Sequence, residues 1–178
     1  SDGDGMKDLL VAGSGSVSYL ASKADGSFAA AKSISDAGIW VEVGDFDENG
    51  IVDVAVLGLR DAASSRPAIG VLLGGGGGAF AAPQLYAYDD GAEVSDFSVG
   101  DMDGDGHLDL MLPGSRNSGS RYWLGRGDGS FVQAIASHAP YSRARLADLD
   151  HDGRADLILF DQNGFSVLKA PRDCARTP

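Results

Sequence analysis

The apolar residues of this chain come in short runs, and none is long. Trp40, Val41 and Val43 precede an acidic stretch, and Val52, Val54, Val56, Leu57 and Leu59 follow it. Two more apolar runs come next, with a glycine-rich stretch between them. Short runs bounded by turn residues predict strands, here over residues 40–46, 52–59, 68–73 and 80–88. No window of about 12 residues holds a 3.6-residue apolar period free of Gly or Pro, so helices are not expected.

This unit repeats. The pattern D-x-D-x-[DN]-G-x-x-D occurs at 45–53, 101–109 and 148–156, and residues 2–8 match it from the third position onward. Its last Asp falls at 8, 53, 109 and 156. A second pattern recurs in phase between them: SYLASKADGSF at 18–28, GVLLGGGGGAF at 70–80 and YWLGRGDGSF at 122–131. Units of ~45 to 50 residues with four strands each are the signature of propeller blades. The expected fold is all-β, in propeller blades of four antiparallel strands, with about three and a half repeats. Blades are expected near 1–36 (partial), 37–92, 93–140 and 141–170 (partial), with a tail at 171–178.

Charge sharpens the picture. The net charge is −12, which disfavours nucleic acid and anionic membrane as partners and suits cations. The 26 glycines fit many tight turns. Cys174 is the single cysteine, so no internal disulfide forms. No stretch reaches the ~18 consecutive apolar residues of a membrane span, and the opening residues do not read as a signal peptide.

Oxygen ligands at alternate positions suit a hard cation that takes six to eight oxygens at ~2.3–2.6 Å. In the 101–109 loop the expected ligands are Asp101, Asp103, Asp105, the His107 carbonyl and Asp109. The 45–53 loop offers Asp45, Asp47, Asn49, the Ile51 carbonyl and Asp53. The 148–156 loop offers Asp148, Asp150, Asp152, the Arg154 carbonyl and Asp156. Near the start, Asp2, Asp4, the Met6 carbonyl and Asp8 form a partial fourth site. Three complete Ca²⁺ sites and one partial site are therefore expected. The 45–53 loop should be the weakest complete site, because Asn49 replaces a charged ligand. Zinc lacks a ligand set here. An EF-hand would need Glu at position 12, where Val56, Leu112 and Leu159 stand. Fourteen of the 26 acidic residues are candidate ligands, more than soluble turns alone would require.

At these loops the sequence resembles the FG-GAP/VCBS repeat family, bacterial relatives of the integrin α-subunit propeller. GDFDENGIVDVAVL at 44–57 and VLLGGGGGAFAAPQ at 71–84 carry the resemblance, and VGDMDGDGHLDLML and WLGRGDGSF repeat it. The resemblance implies one Ca²⁺ in each loop joining the first two strands of a blade. It implies an extracellular or cell-surface setting and a role in recognition, adhesion or scaffolding, with a protein or glycan ligand. The alternative is an accessory domain of a secreted enzyme such as a glycoside hydrolase. The family usually closes seven blades. This segment is therefore expected to be an arc completed by the rest of a longer parent chain or by other copies, or else a small four-bladed ring.

Lesser signals fit the repeat. Arg126-Gly127-Asp128 overlays the turn at Ala24-Asp25-Gly26 and reads as a hairpin rather than a recognition tripeptide. The Gly74–Gly78 run is followed by no helix, which excludes a dinucleotide loop. Asp89-Asp90 and His138 read as turn or loop residues, and the chain is not expected to be an enzyme. Trp40 is expected in the core. Tyr122 and Trp123 are expected on opposite strand faces, which can leave one of them exposed; sugar stacking through it is the lesser reading.

Overall fold

The computed structural model describes residues 4–13, 15–88, 94, 96–114, 120–137, 143–161 and 164–169. Asp2, Asp89, Asp90, His138 and Cys174 lie outside them. The described residues form strands, turns and connections without a helix, so none is long and apolar enough to cross a membrane. The chain divides into two compact units, 1–90 and 91–178.

The first unit holds two main antiparallel sheets. Strands β1 (Leu9–Gly13), β2 (Ser16–Leu20) and β3 (Lys32–Ser35) pair in sequence order. Strands β4 (Trp40–Gly44), β5 (Asp53–Arg60), β6 (Pro67–Leu72) and β9 (Gln84–Ala87) form the second sheet. Between β6 and β9, β7 (Gly74–Gly76) and β8 (Ala79–Phe80) make a two-stranded hairpin. The single strand expected over 80–88 is thus split. Phe80 turns into the hairpin, Pro83 cannot donate to a ladder, and pairing with β6 resumes at Gln84.

Strand β5 explains the unbroken apolar run after the first complete loop. Val54, Ala55, Val56 and Leu57 are all fully buried, so both faces of this strand are covered. Val54, Val56 and Leu59 pack with Val17 and Leu72, and with Leu10, Ile34, Val41 and Phe80 around them, which joins the two sheets face to face. Each such buried aliphatic side chain contributes about 1.5–3 kcal/mol by leaving water. Tyr19 and Phe80 add an edge-on ring contact, their centroids 6.0 Å apart.

Trp40 does not join this core. Alternation along β4 puts Val41 on the packed face, whereas Trp40 is 37% exposed and its indole N–H donates to Glu42, on its own strand face, at 3.1 Å.

The second unit repeats the plan. Strands β10 (Ser98–Gly100), β11 (Asp109–Leu112), β12 (Ser120–Gly125) and β13 (Phe131–Ser137) form a four-stranded sheet. Strands β14 (Arg143–Ala147), β15 (Asp156–Asp161) and β16 (Gly164–Leu168) form a three-stranded one. Met111, Ala144, Leu146, Ala155 and Leu159 build the core between them. Where β10 nears β14, the Leu146 N–H donates to Ser98 Oγ at 3.0 Å and Arg145 pairs with Asp96 at 2.5 Å. Trp123 is buried and Tyr122 is half-buried against the core, so this pair offers no open stacking platform.

Candidate metal centres

Each complete acidic loop leaves the first strand of its sheet and enters the second. Two left-handed backbone positions fold it tightly. Position six is always glycine, with φ of 83° at Gly50, 91° at Gly106 and 86° at Gly153. Position four is also left-handed, at Glu48 (58°), Gly104 (77°) and His151 (58°). The sequence signalled the sixth position through its invariant glycine. At the fourth, Gly104 alone hinted at the conformation.

Within this turn the first Asp gathers loop amides. Asp45 accepts from the Asn49 and Gly50 N–H groups at 3.0 and 2.9 Å, and Asp101 from Gly104 and Gly106 at 2.7 and 2.9 Å. Asp148 accepts from Asp152 and Gly153 at 3.2 and 3.0 Å. The fifth-position side chain accepts from the amide two residues on, in all four loops: Met6 to Asp4, Ile51 to Asn49, His107 to Asp105 and Arg154 to Asp152, at 2.7–3.1 Å. The fifth-position bond takes one side-chain oxygen, whereas the first Asp uses both of its own, so the loop is folded around its carboxylates before any cation arrives.

The ninth-position Asp has a second role that spacing alone did not reveal. Asp53 is fully buried, and its two oxygens accept from the Phe46 and Gly74 N–H groups, both at 2.7 Å. Asp109 is equally buried and accepts from Met102 at 2.7 Å and Gly125 at 2.8 Å. Asp8 accepts from the Ser22 N–H at 2.9 Å and the Tyr19 hydroxyl at 2.7 Å. Ser22, Gly74 and Gly125 occupy one register position, two residues past the partner of the strand residue that follows the Asp. Asp8, Asp53 and Asp109 thus latch their acidic loops to the hairpin that follows in the same repeat. For Asp156, the Leu149 N–H donates at a longer 3.3 Å, and the register equivalent of Gly125 is Ala170, outside the described residues.

Among the described residues, three groups of carboxylates converge. Asp45, Asp47 and Asp53 each offer an oxygen within 4.8 Å of the others, as do Asp101, Asp103 and Asp109, and Asp148, Asp150 and Asp152. Two oxygens that both touch one ion at ~2.4 Å lie at most about 4.8 Å apart, so each group is compact enough to share a cation. Asp105 and Asp156 stand outside these groups.

Electrostatics favour a cation as well. The Asp109 carboxyl is pushed up to about 6: burial raises it most, the bonds from Gly125 and Met102 hold it back, and Asp103 and Asp105 add to the rise. Asp53 is raised by the same causes, burial first. Concentrated negative charge against a buried carboxylate is the environment that a bound cation relieves. The donors are all oxygen, which suits a hard cation rather than zinc.

The tripeptide at 126–128 forms the repeat's turn. The Arg126 N–H donates to the Ser130 carbonyl at 3.1 Å, and Ser130 donates to Asp128 through both its N–H and hydroxyl, at 2.9 and 2.5 Å. Lys23, Asp25 and Ser27 make the same three bonds, at 2.9, 2.9 and 2.6 Å. The serine hydroxyls hold both Asp25 and Asp128 below the usual carboxylate range.

The chain carries a recognised repeat: residues 2–56 match the family model described as an FG-GAP-like repeat. No curated protein matches the chain. The matched span contains the partial first loop, the sheet of β1, β2 and β3, and the whole 45–53 loop.

Proposed function

We propose that this chain, with the FG-GAP-like repeat as its premise, is a calcium-stabilised, non-catalytic recognition or scaffold module that works outside the cell. The observation that carries the reading is the triple recurrence of one compact, all-oxygen carboxylate group, each on the loop between the first two strands of a sheet. Ca²⁺ tolerates irregular geometry and six to eight oxygens, whereas Mg²⁺ demands near-ideal octahedra and keeps its water. A flexible nine-residue loop with several carboxylates suits the former.

The carboxylates have structural work, which supports a role in stability over one in catalysis. Position one closes the turn, position five caps it and position nine latches it to the hairpin. Ligand recognition then belongs to the surfaces that the sheets present, for a protein or glycan partner. Among the described residues, the sheets of β1–β3 and β14–β16 have three strands, where their repeats have four. Leu9 and Val11 on β1 are 41% and 47% exposed, and Phe165 and Leu168 on β16 are 70% and 50% exposed. We read these as sheets completed by further blades of a parent chain or by another copy, since repeat arrays bury such faces against neighbours.

Equilibrium dialysis of chelator-stripped protein against Ca²⁺, Mg²⁺ and Zn²⁺ tests the metal assignment. The expected result is about three Ca²⁺ per chain held in preference to Mg²⁺, with Zn²⁺ unable to displace them. Retention of Zn²⁺ over Ca²⁺, or of no metal, would refute it.

A further inference from the structure

We infer that Lys169 is a tethered cation that gates the fourth loop, so that Ca²⁺ enters the 148–156 site only by displacing it. This rests on the reading of the loops as calcium sites. The Lys169 ammonium pairs with Oδ2 of Asp150, the third-position carboxylate of that loop. It lies just past β16, whose Leu168 pairs with Leu157 next to Asp156.

At this register position only one of the four repeats carries a cation. Leu20, Leu72 and Trp123 hold the register position of Leu168, and the residues that follow them are Ala21, Leu73 and Leu124. Three blades therefore place an aliphatic side chain where the fourth places an ammonium. The fourth loop also gathers a different set of carboxylates. Its group is positions one, three and five, whereas the other two complete loops use one, three and nine. Its latch is longer too, 3.3 Å against 2.7 Å for the equivalent bonds to Asp53 and Asp109. The loop with the internal cation is the one whose ninth carboxylate stands apart.

An ammonium cannot share Asp150 Oδ2 with a divalent ion at bonding distance without strong repulsion. A unit charge about 5 Å from Ca²⁺ weakens binding by roughly tenfold or more even at the dielectric constant of water. Counted by ligand charge alone, the 45–53 loop, with Asn49, fills last. Lys169 moves that rank to the fourth loop. Filling it frees the ammonium from Asp150.

Position-six amides report each loop separately, because Gly50, Gly106 and Gly153 donate to Asp45, Asp101 and Asp148. In a Ca²⁺ titration of the ¹⁵N-labelled, metal-stripped chain, Gly153 is expected to shift last. Lys169→Met should lower its midpoint about tenfold and leave Gly50 and Gly106 unmoved. Lys169 is well exposed, with 63% of its side chain accessible, so this variant folds like its parent. Lys23→Met, at an exposed hairpin, should move none of the three. An unchanged Gly153 midpoint in Lys169→Met, while Gly50 and Gly106 still titrate, would overturn the gate alone. No response at any of the three glycines would overturn the calcium reading with it.

Discussion

Replacing Asp109 with alanine is expected to destabilise the chain by about 3 kcal/mol even when no metal is present. The carboxylate is fully buried and satisfies the Met102 and Gly125 N–H groups. Removing it leaves two buried donors without their acceptor, each costing about 1–3 kcal/mol, and opens a small void. Part of that loss is offset, because the folded state also sheds a carboxylate whose ionised form is disfavoured by burial. Denaturant unfolding in chelator measures the difference. Asp103→Ala is the informative comparison. Asp103 joins the same carboxylate group but is only half-buried, so its loss should matter mainly when calcium is present. Equal costs for the two variants in chelator would show that the ninth position has no separate structural role.

Gly125→Ala should be at least as damaging, at about 3 kcal/mol or more, for a steric reason. A Cβ on Gly125 would lie 2.2 Å from the Leu108 carbonyl oxygen and 3.1 Å from its carbon. Gly74 meets the same obstacle in the first unit, 2.4 Å from the Val52 carbonyl oxygen. Both obstacles are backbone and cannot swing aside, so the strands must separate and the N–H bond to the ninth Asp is lost. Gly50→Ala and Gly153→Ala meet nothing within 4 Å and should cost only the left-handed penalty of roughly 1–2 kcal/mol. Circular dichroism melts of the three variants give the comparison. A Gly125→Ala melt that matches Gly50→Ala would contradict the close approach.

Much of this architecture was legible because the repeat made it so. The phase of the acidic loops against the glycine-rich hairpins gave the succession of three-, four-, four- and three-stranded sheets, and the Lys23–Ser27 turn predicted the turn at 126–130. The ninth-position latch was not legible. Its partners lie 14, 21 and 16 residues further on, at Ser22, Gly74 and Gly125, because the connections between β-strands differ in length. What stays constant is register across the hairpin, which exists only once the strands pair. Trp40 misled for a related reason. Its alternation with Val41 is plain in sequence, but which face of β4 meets the neighbouring sheet is decided by packing. Lys169 looked like an ordinary strand-end residue until pairing placed it beside Asp150.

Thermal unfolding of the chain, first stripped by chelator and then in millimolar Ca²⁺, tests the central claim most directly. A ligand at 100 times its dissociation constant adds about 2.7 kcal/mol for each site it fills, because the unfolded chain does not assemble the ligands. Three such sites should raise Tm by roughly 15 °C or more in a chain of this size. The rise should disappear on adding chelator and shrink sharply with Mg²⁺ in place of Ca²⁺. Melting curves that superimpose with and without calcium would contradict the account.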